Sequence, residues 1–284
     1  MKKLGMVIVN YNDSKTTIKL LNNIKDYKIL DLIVIVDNNS SDNSVKYLKV
    51  YTNDKIILLE NKENKGYANG LNLGAKYLIK NLKNCNIIFS NADIIINDEK
   101  DLKKLSNDIN DDIKVVGPTI IEQKKLNRGW CMPTVNDEIL FNLPLISRKL
   151  KKKILYKESH YEKEISLVEV VSGCFFLVEG KTLEKINYFD ENTFLYYEEN
   201  ILSSKIKKIN KKEAVDNRIN VIHDHSVTID QNIKKINKYK ILKKSQKYYI
   251  KNYTKHNNLQ LILLLLTNKL SLIILYIRCF IKRK

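Results

Sequence analysis

Four short apolar runs organise the first hundred residues, and each stops at a cluster of polar residues. Leu4 to Val9 gives way to Asn10-Tyr11-Asn12, and Leu32 to Val36 to Asp37-Asn38-Asn39-Ser40. Ile56 to Leu59 leads into the segment from Asn61 to Gly66, and Ile87 to Phe89 into Asn91-Ala92-Asp93. Runs this short and unbroken read as buried strands. Between them the apolar residues recur at helical spacing. Asp13 or Ser14 can cap a helix carrying Ile18, Leu21 and Ile24; Asp42 stands near the start of another with Val45 and Leu48; Tyr67 to Leu82 has a helical pattern. Val115 and Val116 are expected to end a further strand before Gly117-Pro118. This alternation predicts an α/β, Rossmann-like fold with a mostly parallel central sheet, and such sheets bind ligands at the carboxyl ends of their strands. No Gly-x-Gly-x-x-Gly follows the first run and no P-loop signature occurs anywhere, which removes the standard dinucleotide and P-loop readings.

Composition narrows the partners. A chain of 284 residues that is 44% hydrophobic can bury a sizeable core. Its 50 Lys and Arg against 32 Asp and Glu give a net charge of +18, which favours nucleic acid, anionic lipid or phosphorylated ligands. Cys85, Cys131, Cys174 and Cys279 are widely spaced, without zinc-finger spacing, as expected of idle thiols in a reducing compartment. Asn10 and Asn12 interrupt the first apolar run before a signal-peptide core can form, so a cytoplasmic location is expected.

The successive segments VIVNYND, IVIVDNNSSDNS, ENKGYANGLNLGA and IIFSNADIII resemble, in order and spacing, the nucleotide-sugar motifs of glycosyltransferase family 2, which has the GT-A fold. The resemblance extends from about Leu4 to Ser226. SGCFFLV, FDENTFLYYEEN and IHDHS are most similar to bacterial rhamnosyltransferase-like enzymes of cell-surface polysaccharide synthesis. It implies a nucleotide-sugar site made of Val9, Asn10, Tyr11, Asp37, Asn39, Lys65, Gly66, Asn69, Asn91, Ala92, Asp93 and Gly173. In that reading Asp37 accepts from the base imide, Asn10 and Tyr11 flank base and ribose, and Gly66 with Asn69 lets the backbone approach the diphosphate beside the charge of Lys65. The family's Asp-x-Asp stands here as Asn91-Ala92-Asp93, leaving Asp93 as the metal ligand, and oxygen ligands with phosphates suit Mn2+ or Mg2+. His223, 24 positions after Glu199, is expected to complete the metal site, with His225 second.

The second half supplies the base. Val168 to Val178 reads as one apolar strand interrupted by Ser172-Gly173, and Glu198-Glu199 opens a helix carrying Ile201, Leu202, Ile206 and Ile209. By family position Glu199 is the general base, kept ionised by the helix N-terminus, and Glu198 is an acceptor-orienting or structural partner. Residues 122 to 166 lose periodicity and turn basic, including the run Arg148-Lys149-Leu150-Lys151-Lys152-Lys153; the resemblance implies a variable loop near the acceptor, a solvated surface loop is the alternative, and Trp130 can stack on a sugar ring. An inverting transfer from a UDP- or dTDP-linked sugar to a glycan or lipid-linked acceptor is the implied activity.

From Leu259 to Lys284 the chain is almost continuously apolar, broken by Thr267-Asn268-Lys269. Asn268 and Lys269 would fall mid-bilayer in a spanning helix, so two short interfacial helices or one in-plane helix on the anionic inner leaflet are expected. A docking helix or a homo-oligomer contact is the alternative. The domain reading is therefore 1–226 as the GT-A domain, with a nucleotide-sugar half at 1–118 and an acceptor half at 119–226, followed by a helical extension at 227–284. Two competing functions are a non-catalytic glycosyltransferase-like subunit and a basic nucleic-acid-binding protein. No recognised nucleic-acid module supports the latter, so a nucleic-acid partner is not expected.

Overall fold

In a computed structural model, the chain is described over residues 2–123, 125–144, 147–224 and 235–281. The four apolar runs form β1 (Lys3–Asn10), β2 (Leu32–Asp37), β3 (Ile56–Glu60) and β4 (Cys85–Ser90). Every residue of β2 and β4 is buried, which is why both read as unbroken apolar stretches. The crossovers are α1 (Ser14–Ile24), α2 (Ser44–Lys49) and α3 (Tyr67–Leu82). Asp13 caps α1, its carboxylate accepting from the Thr16 amide at 3.3 Å.

Then come β5 (Ile94–Ile95), α4 (Glu99–Asp108), β6 (Ile113–Glu122), β7 (Lys125–Asn127), α5 (Val135–Phe141) and α6 (Ser147–Lys151). After two 3-10 turns follow β8 (Ile165–Val168), β9 (Phe175–Glu179), α7 (Gly180–Lys185), α8 (Glu198–Lys208), β10 (Lys212–His223), α9 (Lys235–Tyr253) and α10 (Asn258–Ile281). The strand order is β3-β2-β1-β4-β9-β6-β10-β5, with β7 on β6 and β8 on β10. β1 to β4, β6 and β10 run one way, so the sheet is mostly parallel, and β9 is inserted antiparallel between β4 and β6. Alternate residues of β1 feed two cores: Met6 and Ile8 pack with Leu20, Leu21 and Leu105, and Val7 packs with Leu71, Leu78 and Leu202 on the opposite face.

The structure departs from the sequence reading at three places in the α/β domain. Gly117-Pro118 does not end a strand; β6 continues to Glu122, because β10 shifts register between Asp216 and Asn220 opposite Pro118, where the missing N–H is tolerated. The run from Val168 to Val178 is two strands rather than one: β8 pairs with β10, β9 lies between β4 and β6, and Ser172-Gly173 belongs to the connecting loop. The region from 122 to 166 is not simply loop, since Thr134 and Asp137 form a reciprocal capping box that starts α5. Of the two forms expected for the apolar tail, the single helix is the one found: α10 is 24 residues long and unbroken at Asn268-Lys269. It is long and apolar enough to cross a membrane. Its inner face nevertheless docks lengthwise: Leu264 is buried with Val135 and Ile139 of α5, Ile201 of α8, and Tyr249 and Ile250 of α9.

Candidate active site

The carboxyl ends of β1, β4, β6 and β10 open into one cleft of about 490 Å3. Val9, Tyr11, Gly66, Asn91, Ala92, Asp93, Gly173, Glu198, Glu199 and His223, all expected from sequence, line it. Asn10, Asp37, Asn39, Lys65 and Asn69 are not among the residues lining this cleft. Asp37 is buried, and its carboxylate accepts from the Asn10 amide at 2.8 Å, the Ser40 hydroxyl at 2.7 Å and the Ser40 N–H at 2.8 Å. Asn10 also accepts from the Thr17 hydroxyl at 2.7 Å, so this pair ties the ends of β1 and β2 to α1. Asn39 takes a left-handed turn (φ 62°), Lys65 pairs with Glu63 at 2.7 Å on the surface, and Asn69 donates to Glu191 at 2.7 Å.

Gly66 is where the backbone needs glycine. Its φ is +103°, and a Cβ there would lie 2.4 Å from the Phe194 carbonyl oxygen. That carbonyl accepts the Tyr67 N–H at 2.9 Å, bringing the loop before α8 against the start of α3. The Tyr67 hydroxyl donates to Asn91 Oδ1 at 2.8 Å, and burial holds its pKa well above the ordinary value. The Asn91 oxygen is thereby occupied from within the protein.

At the same turn, two residues beyond Asn91, Asp93 meets His223, which stands between two carboxylates, with Nε2 3.0 Å from Asp93 Oδ1 and Nδ1 2.6 Å from Glu122 Oε1. Burial alone would lower the pKa of this imidazole, but Asp93 and Glu122 outweigh it and raise it to about 9. Ligand atoms of Glu122, Cys174 and His223 all lie within 4.8 Å of one another. Once the imidazole gives up its proton, Asp93 and His223 form a donor pair that fits a hard divalent cation, with Glu122 on the other ring nitrogen. Burial pushes the Cys174 thiol up to about 12, so it enters this group as a neutral thiol. His225 lies outside the described residues.

Glu199 also lines the cleft and is half-buried, and the loop between β8 and β9 passes close to it: a Cβ on Gly173 would sit 3.4 Å from Glu199 Oε2. Glu198 is buried, and its Oε1 has no hydrogen-bond partner among the described residues. Burial raises both pKa values, that of Glu198 to about 8 with the Glu199 charge adding to it. The helix N-terminus thus does not hold Glu199 below its ordinary value; desolvation outweighs the backbone hydrogen bond. Desolvation of this kind makes the ionised form of a carboxylate a stronger base.

The profile described as glycosyl transferase family 2 matches residues 6–177, more than half of the chain. The chain belongs to this family. It is a glycosyltransferase with the GT-A fold. Among curated relatives it is similar to the low-salt glycan biosynthesis hexosyltransferase Agl10 of Haloferax volcanii, at 23% identity over 79% of this chain and 68% of the relative. Among solved structures it is similar to TarS 1–349 of S. aureus in complex with UDP-GlcNAc, with a TM-score of 0.58 and 15% identity over 91% of this chain and 69% of that one. The mannosyltransferase PcManGT of Pyrobaculum calidifontis, in complex with GDP-Man and Mn2+, gives a TM-score of 0.56 and 13% identity over 95% and 72%. GalNAc-T7 with UDP, GalNAc and Mn2+ gives a TM-score of 0.55 at 16% identity; this glycosyltransferase covers less than half, 44%, of that longer chain.

Several cleft residues of the glycosyltransferase escape a sequence reading. Glu122 ends β6, so extending that strand through Gly117-Pro118 would have flagged it as a strand-end residue. Tyr67 looks like an ordinary first-turn helix residue, and Phe194 like loop filler. Trp130, by contrast, is singled out by the sequence; it lines the cleft and is held by backbone bridges to Leu155 and Val170.

Proposed function

We propose that this glycosyltransferase transfers a hexosyl or deoxyhexosyl group, with inversion, from a UDP- or dTDP-linked donor to a hydroxyl of a glycan or lipid-linked saccharide in cell-surface polysaccharide synthesis. A rhamnosyl group is among the candidates. The observation that carries the reading is that Glu199 and the Asp93–His223 pair face one cleft, so proton acceptance and leaving-group stabilisation converge on the same volume. The glycan-biosynthesis relative and the nucleotide-sugar complexes of similar structures support it.

Glu199 takes the proton of the acceptor hydroxyl as its oxygen attacks the anomeric carbon from the face opposite the diphosphate. One carbon–oxygen bond forms as the other breaks, and the nucleoside diphosphate leaves with the bonding pair. Asp93 and His223, with Glu122 behind the imidazole, would hold a divalent metal, Mn2+ or Mg2+. When bound, that ion neutralises the charge of the departing diphosphate. Val9, Tyr11, Asn91, Ala92 and Gly173 contribute cleft wall to the donor, and the buried Asn10–Asp37 pair fixes the strand ends beside it. Gly66 sets the loop geometry, Glu198 supports the acceptor side, and Asn39, Lys65 and Asn69 contribute from the rim.

We assign residues 1–226 to catalysis and 227–284 to attachment at the cytoplasmic face of the membrane. Leu259, Ile262, Leu266, Leu270, Ile273 and Ile277 leave an apolar stripe exposed on α10, and a helix already docked lengthwise lies in the interface more readily than it spans. Lys269, exposed on the same face, would reach the headgroups.

The decisive test is Glu199→Gln assayed with nucleotide sugar and Mn2+. Turnover should fall by roughly a hundredfold or more while donor affinity stays within about twofold. A variant that turns over at the wild-type rate removes Glu199 as the base.

A further inference from the structure

The base stands on an unusual backbone. Tyr196 and Tyr197, the two residues before α8, both adopt left-handed conformations, with φ of 75° and 73°. Side chains larger than hydrogen rarely do so, and two in succession persist only where surrounding contacts impose them. Tyr197 nonetheless starts the helix: its carbonyl accepts the Ile201 N–H at 2.9 Å, so any relaxation of this segment would unwind the turn that carries Glu198 and Glu199.

The contacts that impose it come from outside the α/β core. The Tyr197 hydroxyl donates to Glu138 Oε2 of α5 at 2.7 Å, and the same oxygen accepts from Gln246 Nε2 of α9 at 2.7 Å. Glu138 is only 3% exposed. The Tyr197 ring packs on Tyr249 of α9 with centroids 5.3 Å apart. α9 grips the same loop twice more: Ser245 donates to the Leu195 carbonyl at 2.8 Å, and the Tyr248 and Tyr253 hydroxyls both donate to Asp190 Oδ2. Leu195 and Tyr196 line the cleft.

We propose that Glu138, Tyr197 and Gln246 form a positioning clamp for the catalytic base, through which the C-terminal helices hold Glu199 in its working geometry. This inference rests on the assignment of Glu199 as the base. Tyr197 acts through that residue and needs no contact with substrate.

Tyr197→Phe tests it, because the ring stays packed on Tyr249 while the hydroxyl bond is lost. The readout is nucleoside diphosphate release with Mn2+, using whichever UDP-, dTDP- or GDP-linked hexose the wild-type chain hydrolyses fastest. The substitution should lower kcat by about tenfold or more, as small displacements of catalytic groups do, with donor affinity and melting temperature close to wild type. Placed on Glu199→Gln, it should cause no further loss, since there is no longer a base to misplace. Tyr197→Phe at the wild-type rate, or an equal additional loss in the double variant, overturns the clamp while leaving Glu199 as base. Full activity of Glu199→Gln overturns the functional reading itself.

Discussion

Glu213 carries a pH dependence that belongs to folding rather than to transfer. It projects from β10 behind α8, 3% exposed; its Oε2 accepts the Val171 N–H at 3.0 Å, and its Oε1 has no partner among the described residues. Burial, reinforced by the Glu199 charge and opposed by hydrogen bonds from Ser203 and Val171, pushes its pKa from an ordinary 4.5 up to about 8. The folded chain therefore keeps a proton that the unfolded chain releases. Between pH 4.5 and about 8 stability should fall as pH rises, by up to about 1.4 kcal/mol per pH unit, and level off above the folded value. At pH 7, roughly 2.5 units above the unfolded value, the accumulated loss is about 3 kcal/mol. Glu213→Gln keeps the shape and the acceptor for Val171 but has nothing to titrate. Its stability advantage over wild type should grow from about 1 kcal/mol at pH 5 to about 3 kcal/mol at pH 7. Glu198 and Glu199 titrate in both proteins and largely cancel in the difference. Urea unfolding followed by circular dichroism across this range measures it directly. Curves for the two proteins that stay parallel from pH 5 to pH 8 would show that Glu213 is ionised in the fold.

Two further variants address the metal and the membrane. Glu122→Gln should weaken Mn2+ binding by about 10- to 100-fold in titration calorimetry with UDP present, since the carboxylate orients His223 through Nδ1; unchanged affinity would make Glu122 a bystander. Leu266→Lys combined with Ile273→Lys, both on the exposed face of α10, should abolish sedimentation with vesicles containing phosphatidylserine while the melting temperature holds. A wild-type chain that stays in the supernatant and elutes as a dimer would instead assign that face to a second copy.

The parallel half of the fold is legible because its strands are buried on both sides, so apolar runs and polar strand ends mark each turn toward the cleft. That is how Asn91, Asp93 and the end of β1 stand out. Legibility falls where tertiary pairing overrides local signals. Pro118 suggests a stop, yet the bulge in β10 absorbs it, and misplacing that strand end hides Glu122. Ser172-Gly173 resembles a flaw in one strand because nothing local says that β8 and β9 occupy different positions in the sheet. Glu138 and Gln246 carry no motif; their meaning comes from Tyr197, whose left-handed backbone no composition rule announces. Glu199 is placed by its sequence pattern, but the direction of its pKa follows from the depth of the cleft, which only the assembled loops determine.

The contact between Tyr67 and Phe194 bears on how this cleft handles charge. Many nucleotide-binding α/β proteins offer the exposed amides of a helix N-terminus to the phosphates, combining hydrogen bonds with the positive end of the helix dipole. Here the first amide of α3 already donates to the protein's own Phe194 carbonyl, and Gly66 allows the two backbones to touch. That amide is thereby used within the protein and is not offered to a ligand. In the proposed reading, compensation for a diphosphate would then fall to a divalent cation held by Asp93 and His223, since those two residues and Glu122 together carry no net positive charge of their own.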